Sequence, residues 1–255
     1  MSDCNSCGNP RTASHPPPAA SLLPGQRAAI YQELAHLYRA PSWERVQGAL
    51  DHVLLRYPKF LLDNKDAHFH PVKELERHEK ESYRLGLESF QAEYVRLFVN
   101  SREGVLAPPH ASFYTEGSLF GRAAQEALTH YERFRIAPDT SENEPPDHIS
   151  YELEFLSFLC AMEQEALDQG RQEEAEGLKK AQAEFLCNHL FPWANRFCDR
   201  IVENANLAYY KLVGAFTKGF LAHGSALLEG KPSTQAGGRS AHTVERTSAR
   251  PDPSK

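Results

Sequence analysis

The stretch Leu87-Glu-Ser-Phe90-Gln-Ala-Glu-Tyr94-Val-Arg-Leu97-Phe98 decides the fold class. Its apolar residues recur at steps of three, four, three and one, the stripe of an amphipathic helix turned toward a core. The pattern around it predicts one long helix from about Pro71 to Asn100. The same period returns on both sides. Toward the N-terminus, Ile30, Leu34 and Leu37 share one face of a helix over about Gln26 to Arg39, closed by Pro41. Ser42 then reads as the N-cap of a second helix carrying Val46, Leu50, Val53 and Leu54, which Pro58 ends or bends. Toward the C-terminus, helices are expected over about Leu119 to Arg133, His148 to Gln169 and Arg171 to Leu190. The His148 helix has a broad apolar face of Leu153, Leu156, Leu159, Cys160 and Leu167. Pro192 suits the first turn of the next helix, with Trp193, Phe197 and Ile201. A last helix holds Tyr210, Val213, Phe216, Phe220 and Leu227. Two segments break the period. Ser101 to Gly117, with Pro108–Pro109, reads as an ordered loop or short turn, and Ala137 to Pro146 as a polar loop. The chain has 28 Leu against 9 Val and 4 Ile, and no alternating run of strand length, so strands have no support. The expected fold is all-α, a single globular bundle of roughly eight helices.

The two ends differ from this middle. Residues 1–24 and 231–255 concentrate Pro, Ser, Gly and charge, a composition that buries too little apolar surface to offset its ordering entropy. Both read as disordered tails flanking one helical domain over 25–230. The C-terminal tail carries five basic residues against two acidic ones, a balance of +3, and the N-terminal tail is neutral. The total of −6 therefore leaves −9 on the domain between them. Such a domain suits a basic peptide and argues against nucleic acid, whose phosphates reward Lys and Arg surfaces. No apolar run reaches membrane-spanning length, and the one around Phe155 to Met162 is interrupted by Ser157. The N-terminus has no charged start leading into an apolar core, so no secretory leader is expected. Cys160, Cys187 and Cys198 fall in helical settings, where a reduced thiol acts as a small core residue, and the expected compartment is the cytoplasm.

Three segments hold the residues that can carry chemistry. In Glu144-Pro-Pro146-Asp147-His148-Ile-Ser-Tyr-Glu152-Leu, the prolines exclude helix before them and Asp147 can accept backbone N–H groups at a helix start. Two readings stay open there. Asp147 is the N-cap with His148 a surface residue of the first turn, or the pair hydrogen-bonds a ligand backbone or an arginine. Pro108-Pro109-His110-Ala-Ser112-Phe113-Tyr114 makes a stiff, partly apolar surface suited to an extended peptide, or simply caps the preceding helix. In Pro192-Trp193-Ala-Asn-Arg-Phe197, core packing is the simpler reading. Cys4-Asn-Ser-Cys7 has the spacing of a zinc half-site but lacks a second pair. His68 with His70, and Glu74 with His78, fall short of a metal-ligand set. No serine elbow, cysteine–histidine frame or glycine-rich phosphate loop occurs, so nucleophilic catalysis has no sequence support.

Taken together, Tyr94-Val-Arg-Leu97-Phe98, Pro108-Pro109-x-x-Ser112, Glu144-Pro-Pro-Asp147-His148 and His189-Leu-Phe-Pro192-Trp193-x-x-x-Phe197 resemble, in order and spacing, the TorD/DmsD family of molybdoenzyme-maturation chaperones. The resemblance spans about Gln26 to Leu228 and is nearer to the TorD/DmsD branches than to the nitrate reductase chaperones. It implies an all-helical chaperone in the cytoplasm, a monomer or homodimer, that catalyses nothing and has no cofactor of its own. Its implied partner is the precursor of a molybdenum oxidoreductase. The chaperone would hold the client's twin-arginine signal peptide and keep the apoenzyme open for cofactor insertion, preventing premature export. Carried over by position, the peptide surface comprises Asp147 and His148, then Pro108, Pro109 and Ser112, then Tyr94, Leu97 and Phe98. Tyr114, with Phe98 and Pro109, can supply an apolar groove. Glu144, Pro146, Glu152, Pro192, Trp193 and Phe197 complete the structural motifs. Two departures stand out: His110 replaces an aromatic found in some members, and Tyr94 stands where some have Trp. A helical scaffold without a peptide groove, and a hydrolase or lyase using His148 with Asp147, are the competing classes.

Overall fold

A computed structural model describes residues 22–49, 70–102, 104–137 and 144–228. The described residues are helical, with no strand beyond one isolated bridge. In chain order the helices are α1 (Pro24–Leu37), α2 (Trp43–Ala49), α3 (Pro71–Arg84), α4 (Leu87–Tyr94), α5 (Ala111–Glu116), α6 (Arg122–Arg133), α7 (Ile149–Asp168), α8 (Gln172–Phe185), α9 (Phe191–Asn204) and α10 (Ala208–Leu228). Most of both expected tails, with Cys4 and Cys7, lies outside the described residues, as do Leu50, Val53, Leu54, Pro58 and His68. Leu22, assigned to the N-terminal tail, is buried in the core, and Pro24 opens α1.

The expected apolar stripes form the core. Helix α1 packs along α7, α7 against α8, and α9 against α10, which also meets α3. Ile30, Leu34 and Leu37 of α1 and Leu153, Leu156 and Leu159 of α7 are all buried in one core, whereas Leu167 is partly exposed. Helix α10 crosses α9 closely at Gly214, where a Cβ would stand 3.1 Å from Ile201. Gly170, at φ +71°, takes the left-handed conformation just past α7 that glycine adopts without steric cost.

A polar knot is buried in this core. Arg27 donates to Glu163 at 2.6 Å and to the side-chain oxygen of Gln182 at 3.2 Å, while Gln182 donates back to Glu163 at 2.7 Å. Cys160 Sγ joins them through Gln182 at 3.1 Å. Each ion thus has its charge and its hydrogen bonds answered, as burial requires.

Three boundaries differ from the sequence reading. The expected helix from Pro71 to Asn100 is interrupted at Leu85–Gly86, both extended, because Gly86 is a poor helix former and Leu85 turns partly inward. Helix α4 then ends in a π-helical turn, Val95–Val99, which puts Leu97 and Phe98 side by side in the core. A second π-helical turn, Leu186–Leu190, carries α8 into α9, so no break precedes Pro192. The third is α5, a short helix inside the expected 101–117 loop.

Candidate functional site

The two proline loops meet. After the π-helical turn, Ala107 N–H donates to the Leu97 carbonyl at 2.8 Å and folds the chain back onto α4. Proline has no N–H to offer, so the donors are residues that follow each pair. Ala111 N–H donates to the Asp147 carbonyl at 3.1 Å, and Ile149 N–H to the Pro109 carbonyl at 2.9 Å. These two bonds form an antiparallel bridge between His110 and His148.

The side chains divide the capping. Asp147 Oδ2 accepts the Ser112 N–H at 2.7 Å, so its carboxylate serves the first turn of α5, not that of its own helix. His148 is the N-cap of α7: its Nδ1 accepts from Ser150 N–H at 3.2 Å and lies 2.7 Å from Ser150 Oγ. This corrects both halves of the simpler sequence reading. Asp147 caps another helix, and His148 is buried, not on the surface.

Burial sorts the residues expected to touch a peptide. Pro108, Pro109, Ser112, Asp147, His148, Leu97 and Phe98 are buried, Ser112 and Asp147 to 0% exposure. Tyr94 and Tyr114 are half-buried. The two tyrosines belong to one run of rings. Tyr94 meets Phe98 at 5.2 Å, Phe98 meets Phe197 at 6.0 Å, and Phe197 meets Tyr114 at 6.3 Å. Trp193 closes the run, stacked on Tyr114 at 5.5 Å. Arg196 lies over the Tyr114 ring and donates to the Tyr114 carbonyl at 2.6 Å. Past α5, the loop exposes Leu119 and Phe120, the latter at φ +59° and 72% exposed.

Behind the rings lies a second buried network. Glu152, one turn into α7, accepts from His189 Nε2 at 2.9 Å and from Trp193 Nε1 at 3.1 Å. Burial alone would lower the His189 imidazole, but the Glu152 carboxylate outweighs it and holds His189 above its ordinary value. His148 goes the other way: burial, reinforced by nearby His110, pushes it down to about 3 and keeps the ring neutral.

One grouping escaped the sequence reading. His110, Glu144 and His148 offer three ligand-type atoms within 4.8 Å of one another. His110 Nε2 and Glu144 Oε2 are 3.1 Å apart, and the His110 and His148 rings 5.1 Å. That hydrogen bond holds the Glu144 carboxyl below its usual value. Pattern rules look for ligands a few residues apart, and His110 and Glu144 are separated by 34 positions. Among the described residues no helix is long and apolar enough to cross a membrane.

Comparison with known proteins places the chain in a family. The chain is 37% identical over 125 residues to a chlorate reductase assembly chaperone protein of Ideonella dechloratans, covering 46% of this chain and 60% of that one. It is 33% identical over 132 residues to the chaperone protein TorD of Aliivibrio salmonicida, covering 51% and 60%. With the Tat proofreading chaperone DmsD of Salmonella paratyphi A it shares 29% identity over 143 residues, covering 55% and 63%. The chain thus spans less than two thirds of the length of these relatives. The family model of the nitrate reductase delta subunit matches residues 62–199, more than half the chain. The chain therefore belongs to the nitrate reductase delta subunit family, with TorD, DmsD and reductase assembly chaperones among its homologues.

Proposed function

We propose that this chain is a maturation chaperone of a molybdenum oxidoreductase. It holds the client's twin-arginine leader and apo form in the cytoplasm until the molybdopterin cofactor is inserted, and so delays export. The observation that carries the reading is the joining of the Pro108–Ser112 and Glu144–His148 loops through Asp147 and Ser112, beside the half-exposed carboxylate of Glu144. The names of the relatives, assembly chaperones and a Tat proofreading chaperone, favour the same reading.

The chemistry of such a leader fits the surface. Its two guanidinium groups call for carboxylates, and its apolar stretch for an exposed apolar face. Glu144 and an acidic domain answer the first. Tyr94, Tyr114, Leu119 and Phe120 answer the second. Asp147, His148, Pro108, Pro109, Ser112, Leu97 and Phe98 hold that surface in shape, because their own side chains are buried. The role asks for no catalytic step by this chain.

The test is a calorimetric titration of the full chain with the client's leader peptide, its twin arginines intact or replaced by alanines. Saturable binding that the replacement weakens at least tenfold supports the reading. Equal affinity for both peptides, or none for either, removes leader recognition from this chain.

A further inference from the structure

We infer that His110, Glu144 and His148 form a binding site for one divalent transition-metal ion of the zinc class, set where the two proline loops are clasped together. Their ligand-type atoms already lie within 4.8 Å of one another, and His110 Nε2 and Glu144 Oε2 within 3.1 Å. Zinc takes nitrogen and carboxylate ligands at about 2.0–2.2 Å, which puts tetrahedral neighbours about 3.4 Å apart. Glu144, whose side chain is 38% exposed, has the freedom to take up part of the remaining closure.

The donor set selects the class of ion. Two imidazoles with one carboxylate suit zinc and its neighbours, whereas calcium and magnesium want oxygen throughout. The backbone bridge fixes the two histidines relative to each other, and both rings are buried. Ser150 orients His148 through Nδ1. When the Nδ1 proton is donated to Ser150 Oγ, Nε2 keeps its lone pair for the metal, the outer-shell arrangement that ligating histidines use. Binding selects that tautomer and gives up the 3.2 Å contact with Ser150 N–H. Next in the chain, Asp147 is buried with Oδ1 unpartnered among the described residues. Three protein ligands leave a fourth position open on the Glu144 side, for water or a client group.

Cys4 and Cys7 are a second pair able to take zinc, so the experiment uses the full chain carrying Cys4→Ser and Cys7→Ser. Zinc is titrated in competition with a chromogenic chelator, and cobalt(II) absorption reports the coordination. The expected result is one ion per chain, with affinity at least tenfold weaker in Glu144→Gln and binding lost in His110→Phe. The cobalt bands should fade in both. Glu144→Gln keeps an acceptor oxygen for His110 at a partly exposed position, so it reads out the site even if His110→Phe disturbs folding. No saturable uptake by the parent protein, or uptake undiminished by either substitution, overturns the assignment. Glu144 serves in both readings, so the leader titration is run on metal-free protein in the presence of a chelator, which lets either result fail without the other.

Discussion

Asp147 holds the N-terminus of a helix that begins 36 positions before it: its carboxylate accepts the Ser112 N–H at 2.7 Å while both residues are fully buried. One hydrogen bond thus fastens the second proline loop to the first. A carboxylate on a helix-start N–H is charge-assisted and stronger than a neutral bond. Around it, His148 caps α7 and the His110–His148 bridge aligns the backbones.

Replacing Asp147 by Ala removes that bond and leaves the Ser112 N–H buried without it. The expected loss of stability is about 1–3 kcal/mol. Leader affinity should fall about tenfold with it, about 1.4 kcal/mol. Asp147→Asn, which keeps an acceptor oxygen, should recover most of the stability. Denaturant melts of the three proteins check the first, and calorimetry the second. Wild-type affinity in Asp147→Ala would separate the capping bond from recognition.

The Glu152–His189 pair gives a pH dependence with a definite sign. His189 is held above its ordinary value in the folded protein, so folding favours the protonated ring. That contribution is fully present below about pH 6.5, the unfolded value, and is lost as the pH rises through the higher folded value. The melting temperature should therefore fall more between pH 6 and pH 8 in wild type than in His189→Gln. Parallel profiles would show that the ring is neutral across the window.

Arg27→Leu should be among the most damaging core substitutions. It leaves Glu163 buried without its cation, a loss of about 3–5 kcal/mol where a buried pair is broken on one side. The double change Arg27→Leu with Glu163→Leu should recover much of this, since no unpaired charge then remains. Chemical denaturation of both variants makes the comparison.

The sequence made the helices legible because their apolar residues repeat at helical period, and Phe90, Leu97, Leu153 and Phe197 all face the core as that period requires. The interruption at Gly86 left a weaker mark, since a single glycine lowers helix propensity without forbidding the helix. The site was legible as residue types and less so as contacts. An Asp before a helix reads as its cap, but the rule is local, and Asp147 spends its carboxylate on Ser112 in another loop. The capping of α7 by His148 goes against the usual ranking of cap residues. Arg27 and Glu163 look like solvent-facing charges until the fold brings them together across 136 positions. His110 and Glu144 meet for the same non-local reason.

The most direct test of the central claim is to recover partners of the full, tagged chain from native cytosol of cells making a molybdenum oxidoreductase, and to identify them by mass spectrometry. The account predicts a reductase precursor with its twin-arginine leader uncleaved, retained by wild type and reduced in Asp147→Ala. Recovery of mature proteins alone, with no leader-bearing oxidoreductase although one is expressed, would contradict it.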